Sequence, residues 1–453
     1  MNTKMKSLLY LSSVSLLLAG CSDEDVVQIS DRESQPIIFR TSLPTLTSRA
    51  QIVTKDNLPH FYVTAFNLAD PDLVNQMGQL KEYISKECIT NYADQEMLTS
   101  EKCLWPTPGK DDNLAFFAFY PDLNESARLI NETTLNGNNF KIDYKLTDFR
   151  VATDIADQQD FITAYAPGAM EKNLHTGITL NFEHKLSRVE LQAWGANKSC
   201  DIEIAGVRIG GIGVEGTFDF MPMEGGGQWV DDFDKGIVEY IYREGDEIIS
   251  LDRTTGSPLT ADAAVSIMGS KIGAEDNCAM LLPATYTGWD YSSDGQNKKN
   301  QMYISVLLRV IDATATESNG QQQYPLTQNI DGYDALNIKK VYLAVDKATG
   351  KTVRTRLYKN DNGYFTDQAF TLPYTLTNSE DVKEFGWAAL PVTGEWKSGR
   401  VYTYTLDYTS GVGLYDPESP DAGKPIISDK IGVSVSVKDW QTKPSSDVVV
   451  PGS

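Results

Sequence analysis

Leu180-Asn181-Phe182-Glu183-His184-Lys185-Leu186-Ser187-Arg188-Val189 is the run that decides how the rest of this 453-residue chain is read. Leu180, Phe182 and His184 alternate with polar neighbours, and a second apolar series follows from Leu186 to Leu191. Alternation with a period of two puts successive side chains on opposite faces of an extended backbone, so the run predicts two consecutive core strands. His184 lies on the inward face between them. One histidine on an apolar face reads as a packing or hydrogen-bonding residue before it reads as a ligand.

Outward from that run the chain keeps the same character. With 22 Tyr, 16 Phe and 34 Gly it has the composition of many short strands joined by turns. Strands are expected at His60 to Phe66, Leu114 to Tyr120, Phe140 to Tyr144, Gly177 to Phe182, Leu186 to Trp194, Ile202 to Val207, Gly216 to Phe220 and Ile237 to Tyr242. They continue at Ala264 to Met268, Ala279 to Leu282, Met302 to Ile311, Lys340 to Val345, Arg400 to Leu406 and Ile431 to Val437. Helix signals are confined to Leu73 to Ile84 and Ser379 to Leu390, the second interrupted by Gly386. The polar turn Gly195-Ala196-Asn197-Lys198 is the most open break, so the expected units are residues 51–196 and 197–453.

The start of the chain has its own logic. Met1 to Gly20 carries Lys4 and Lys6, the apolar run Leu8 to Leu18 and small residues before Cys21, which is the pattern of a secretory signal. Leu18-Ala19-Gly20-Cys21 resembles the lipobox of bacterial lipoproteins, and that resemblance implies cleavage before Cys21 and diacylation of its thiol. Each buried acyl methylene contributes about 0.8 kcal/mol, so several chains together hold firmly. Ser22-Asp23-Glu24-Asp25 reads as a solvated acidic tether. It also resembles the acidic export signal of surface lipoproteins in Bacteroides-like bacteria. Next, Pro36 to Leu43 sets Ile37, Phe39, Thr41 and Leu43 on one face and Ile38, Arg40 and Ser42 on the other, a half-buried strand. Thr47-Ser48-Arg49-Ala50 then offers a basic bond among small residues, which reads either as a trypsin-like cut site or as a solvated arginine.

Charge and chemistry exclude much. A net charge of -22 argues against nucleic acid and anionic membrane surfaces as partners. No later segment approaches 18 consecutive apolar residues, leaving the lipid on Cys21 as the expected attachment to the outer membrane. Cys88, Cys103, Cys200 and Cys278 permit two disulfides, Cys88 with Cys103 being easier on loop length. Three histidines and no Cys-x-x-Cys give zinc little to bind. Gly210-Gly211-Ile212-Gly213 lacks the spacing of a phosphate loop, and Asp231-Asp232-Phe233-Asp234-Lys235-Gly236 is out of register with a calcium loop. No catalytic, cofactor or metal residue is assigned, and the chain is not expected to be an enzyme.

Four pieces together resemble the fimbrillin family of type V pilus subunits, in its Mfa-like branch. They are Trp105-Pro106 with Leu114 to Pro121; Asp157 to Ala164 leading into Leu180 to Val189; Trp396 to Leu406; and Val433 to Trp440. The Tyr-rich third piece reads on its own as core or cross-strand pairs, the sharper alternative being a sugar-binding platform. The resemblance implies an all-β chain of two β-sandwich domains with transthyretin-like topology. It further implies a lipoprotein whose N-terminal strand, here Ile37, Phe39, Thr41 and Leu43, is removed by cleavage between Arg49 and Ala50. Another subunit's strand then fills the groove, and Ile431, Val433, Val435 and Val437 are the candidate donor here. Partners would be other pilin subunits, and a host glycan or protein for adhesion, with the chain in the outer membrane and then the fimbrium. The short tail after Trp440 leaves stalk and tip positions both open. The competing reading is a non-polymerising surface lipoprotein that binds glycan or host protein, and the third a hydrolase with a carboxylate pair.

Overall fold

The computed structural model of the chain describes residues 35–42, 58–67, 82–91, 96–99, 103–105, 113–121, 127–136, 139–195, 200–221, 226–251, 260–268, 278–291, 301–312, 321–326, 338–426 and 431–440. Nearly all of their regular secondary structure is strand. The longest helix, Met170–Asn173, is a single turn, so none of the described helices is long and apolar enough to cross a membrane.

The first sheet has eight strands in the order Glu183–His184, Ile162–Ala169, Asn113–Tyr120, His60–Asn67, Glu82–Asn91, Glu96–Thr99, Phe39–Ser42, Ile178–Asn181. Its two ends, Glu183–His184 and Ile178–Asn181, are separated in sequence by Phe182 alone. One stretch of chain therefore borders both ends, and the sheet curls round an interior. Phe39, Phe61, Val63, Leu114, Phe116, Ala118, Leu180 and Phe182 fill that interior. Asn113–Tyr120 is buried on both faces: Leu114, Phe116 and Ala118 point into the interior, while Ala115, Phe117 and Phe119 join a second core outside it. A strand covered on both sides needs no polar alternation, which is why this segment reads as one unbroken apolar run.

The second core lies between two further sheets. The larger follows the path Pro373–Tyr374, Gly363–Phe365, Val353–Asn360, Val341–Asp346, Glu380–Pro391, Tyr303–Asp312, Cys200–Asp219, Asn139–Arg150, Arg128–Asn136. The smaller runs Val265–Ser266, Ser187–Trp194, Arg400–Asp407, Gly432–Asp439. In it Ser187–Trp194 and Arg400–Asp407 pair in parallel, Val189 lying opposite Tyr402. Hydrogen-bonded sheets thus cross residue 196: Ser187–Trp194 joins C-terminal strands, and Asn139–Arg150 pairs with Cys200–Asp219.

Two expectations change. Ser379 to Leu390 is not helical; Glu380–Pro391 is a strand between Val341–Asp346 and Tyr303–Asp312. Its interrupting Gly386 is where the Tyr324 ring packs, and a Cβ there would stand 2.7 Å from that ring. The two strands expected at Ile202 to Val207 and Gly216 to Phe220 are one strand, Cys200–Asp219, bent by β-bulges whose glycines include Gly206, Gly210 and Gly216. Leu73 to Ile84 falls mostly outside the described residues, its last three positions opening the strand Glu82–Asn91.

Gly211 shows what the glycines of that strand are for. Its φ of +69° lies in the left-handed region, and a Cβ would stand 2.0 Å from the Gln301 carbonyl oxygen. Gly210-Gly211-Ile212-Gly213 is therefore a bulge against a neighbouring backbone. Gly211→Ala is expected to destabilise the chain by about 2 kcal/mol or more, because it adds backbone strain and a contact that only main-chain movement relieves. Thermal unfolding would read this as a lower midpoint.

Candidate functional site

The segment Gln35–Ser42 lies in the wall of the first sheet. Phe39–Ser42 runs parallel to Ile178–Asn181 on one side, and Phe39 pairs with Met97 of Glu96–Thr99 on the other. Just before it, Pro36 bridges to Leu104. Backbone hydrogen bonds hold both edges. The Ile37 N–H donates to the Cys103 carbonyl at 2.9 Å, and the Trp105 N–H donates to the Gln35 carbonyl at 2.9 Å. Across the other edge, the Ile178 N–H donates to the Ile38 carbonyl at 2.8 Å and the Phe182 N–H to the Ser42 carbonyl at 2.9 Å. The sheet order makes this segment the member that joins Glu96–Thr99 to Ile178–Asn181.

Its side chains follow the pleat. Ile37 and Phe39 are buried, Thr41 and Ile38 are half-buried, and Arg40 and Ser42 are exposed. The Phe39 ring meets Phe116 and Phe61 edge-on at 5.5 and 6.0 Å, geometries that favour aromatic pairs. Gly177 turns the chain beside it, with a φ of +71° and room only for hydrogen where a Cβ would sit 3.0 Å from the Ile38 carbonyl oxygen. Leu43, Arg49, Ala50 and Cys21 lie outside the described residues.

At the other end of the chain, Gly432–Asp439 pairs antiparallel with Arg400–Asp407 and forms the edge of the smaller sheet. All eight of its side chains are exposed. Val433, Val435 and Val437, at 45%, 48% and 55% exposure, form an apolar row facing water, whereas Ile431 is buried. Among the described residues no strand pairs with its outer edge. Natural sheets normally blunt such an edge with charge, proline or a bulge. Here Lys438 and Asp439 at one end are the only charges in the strand, and Asp439 pairs with Arg400.

The other sequence candidates resolve into structure. His184 is fully buried with Nδ1 2.7 Å from Asp160 Oδ2, a hydrogen-bonding residue of the core. Trp396, Tyr402 and Tyr404 are buried as well, Trp396 Nε1 donating to the Tyr404 hydroxyl at 2.9 Å, and burial raises the Tyr404 pKa. That removes the sugar-platform reading of Trp396 to Leu406, since a stacking surface has to reach solvent. Asp234, Lys235 and Gly236 belong to a strand, Asp234–Ile241. Among the described residues no three His, Cys, Asp or Glu side chains are arranged to hold a metal. Cys103 is half-buried and Cys200 and Cys278 are buried, while the side chain of Cys88, the expected partner of Cys103, lies outside the described residues.

Sequence reasoning found the closing strand and, in Gly177 to Phe182, the wall on one side of it, but missed the wall on the other. Glu96–Thr99 and the stretch 103–105 carry no clean alternation, and their pairing with Gln35–Ser42 is a long-range event. It also gave no structural task to Trp440, whose placement at the end of an exposed strand is the one local signal.

Among the described residues the chain is thus a β structure whose first sheet contains the half-buried strand Phe39–Ser42 and whose smaller sheet ends in an exposed apolar edge strand. A family model described as fimbrillin-like matches residues 75–306, just over half of the sequence, and the chain belongs to that family. Its members are structural subunits of fimbriae and cell adhesion at the cell surface. Among solved structures it is similar to a candidate cell adhesion protein from Bacteroides ovatus, at 12% identity over 91% of this chain and 100% of that one, with a TM-score of 0.39. A candidate cell adhesion protein from Parabacteroides distasonis aligns at 10% identity over 89% and 100%, with a TM-score of 0.38. The tip fimbrial protein Mfa3 from Porphyromonas gingivalis aligns at 10% identity over 89% and 99%, with a TM-score of 0.31. No curated protein sequence matches this chain.

Proposed function

We propose that this chain is a type V fimbrial subunit, exported as a lipoprotein through Cys21 and cut between Arg49 and Ala50. Gln35–Ser42 is its removable plug, and assembly proceeds by strand donation between copies or related subunits. The observation that carries this is the hydrogen bonding of Gln35–Ser42 along both of its edges, where it joins Glu96–Thr99 to Ile178–Asn181 in the first sheet. Taking it out leaves an apolar slot lined by Phe61, Phe116 and Phe182, bordered by unpaired backbone groups at Ile178, Phe182 and Cys103. Such a slot binds an extended segment by main-chain hydrogen bonds and alternate side-chain pockets.

The donor side fits the same physics. Val433, Val435 and Val437 are only about half covered where they stand, and completing their burial in an apolar groove is worth roughly half of the about 1.5 to 3 kcal/mol that full burial of such a side chain contributes. Their spacing of two matches the inward positions Ile37, Phe39 and Thr41 that they would replace.

Arg49→Ala is expected to keep the mature N-terminus at Cys21 and to reduce assembled polymer at the cell surface to background. N-terminal sequencing of surface protein reads the first point and electron microscopy the second. Polymer of normal abundance from an uncut Arg49→Ala chain would instead favour the non-processed, non-donating reading, in which the protein stays an anchored lipoprotein with glycan or host protein as its ligand.

A further inference from the structure

The C-terminal strand is fastened to the molecule at a point that also touches the plug. Because every side chain from Gly432 to Asp439 is exposed, the strand's own residues contribute a backbone ladder and no core. What is buried lies at its ends: Ile431 before it and Trp440, fully buried, after it. The Trp440 indole lies flat on the His184 imidazole, with ring centres 4.3 Å apart and planes 4° from parallel. The Trp440 N–H donates to the Gly399 carbonyl at 2.9 Å, and the Gly399 N–H donates to the Leu186 carbonyl at 2.9 Å.

His184 belongs to a five-residue crossing that holds several parts at once. The Phe182 N–H bonds the plug at Ser42. His184 pairs with Ile162 in the first sheet and hydrogen-bonds Asp160. The Lys185 carbonyl accepts from Trp229 Nε1 at 2.6 Å and from Ser398 Oγ at 3.0 Å. Leu186 reaches the turn that carries Trp440. Between the Ser42 carbonyl and the Trp440 ring there are three consecutive residues, Phe182, Glu183 and His184.

The stack is also incompletely satisfied. His184 Nε2 and Trp440 Nε1 are both buried with no hydrogen-bond partner among the described residues. Burying a polar hydrogen-bonding group without a partner is unfavourable, so opening the stack recovers hydration for two groups at once. The contact holds by shape, and shape here depends on where the backbone of Phe182 is set.

Resting on the strand-donation reading, we propose that the segment Phe182–Leu186 is a release latch. With Gln35–Ser42 in place it presents His184 to Trp440 and keeps Gly432–Asp439 in its own sheet; loss of the plug frees Phe182, opens the stack and makes the strand available to a second copy of the chain. Premature donation by an unprocessed subunit is thereby suppressed, since the donor is withheld until the acceptor slot of the same molecule is empty.

Hydrogen exchange of the Val433 to Asp439 amides tests this on the full mature chain carrying a specific protease site at 47–50. After cleavage, with loss of the N-terminal fragment confirmed by mass spectrometry, exchange there is expected to rise by at least about ten-fold while Tyr303–Asp312 stays protected. In the uncut chain His184→Ala is expected to give the same local rise, and Trp440→Phe, which keeps a flat ring and removes the unpartnered N–H, is expected to stay slow. Unchanged exchange in the cleaved chain overturns the latch, as does an equal rise in Tyr303–Asp312, which would mean general unfolding. The two readings separate cleanly: a cleaved chain that polymerises without a local rise overturns the latch and keeps strand donation. A local rise without polymer supports the latch and removes strand donation.

Discussion

Phe39→Ala is expected to destabilise the first sheet by about 4 kcal/mol, with most of the loss falling on the plug itself. The ring is fully buried between Phe61 and Phe116, and removing a buried aromatic costs about 3 to 5 kcal/mol through lost transfer energy and the cavity left behind. Because Phe39 belongs to a short strand with one other buried side chain, Ile37, the variant should behave as a partly unplugged molecule. The expected signs are a lower unfolding midpoint and faster exchange at Ile178 and Phe182, whose N–H groups the plug receives. Thr41→Ala, at a half-buried position on the same face, serves as the control and should change stability by well under 1 kcal/mol. Equal effects from the two substitutions would mean that the strand is held by its backbone alone.

The second large effect lies in the other core. Arg208 reaches from Cys200–Asp219 to Asp416, forming a nearly fully buried ion pair. Its Nε donates to Asp416 Oδ2 at 3.2 Å, Ser305 Oγ donates to the same oxygen at 2.5 Å, and the guanidinium lies 4.4 Å from the centre of the Trp387 ring. Burial works against the Arg208 charge, yet the Asp416 carboxylate, with help from Glu418, more than offsets it and raises its pKa. The group stays a cation, and the partner becomes indispensable. Asp416→Ala should therefore destabilise the chain by about 3 to 5 kcal/mol, since it strands a buried charge. The double replacement Arg208→Met with Asp416→Leu should recover most of that loss, because an apolar pair of similar volume needs no desolvated charge. Chemical denaturation of the two variants beside the unmodified chain measures both numbers. A double variant no more stable than Asp416→Ala would show that the pair is needed for its geometry and not only for its neutrality.

Much of the fold was legible because its strands are of two kinds that leave a local trace. Ile178–Asn181 and Arg400–Asp407 alternate cleanly, and Asn113–Tyr120 is an aromatic run too short to be a helix of any consequence. Glu380–Pro391 defeated the same reading. Its end from Phe385 to Leu390 is buried on both faces, so it loses the period of two that separates strand from helix. Cys200–Asp219 looked like two strands because its bulge glycines mimic turns. Nothing local could announce that Ser187–Trp194 lies parallel to Arg400–Asp407, or that the wall beside Phe39 is made by Met97. At the site, alternation identified Ile37 and Phe39 as inward-facing and Val433, Val435 and Val437 as one row. It did not say that the first pair is buried and the second row is in water. That difference arises from what each strand meets in three dimensions.

In assembly by strand donation, the slot now filled by Gln35–Ser42 would be emptied and then refilled by a strand from another molecule. Hydrogen exchange at the Ile178 and Phe182 amides follows that slot through its whole cycle, since both donate to the plug. Slow exchange is expected in the intact chain, fast exchange in the processed monomer and slow exchange again in the assembled polymer. Amides that remain slow in the processed monomer, or that stay fast in a polymer that has formed, would contradict it.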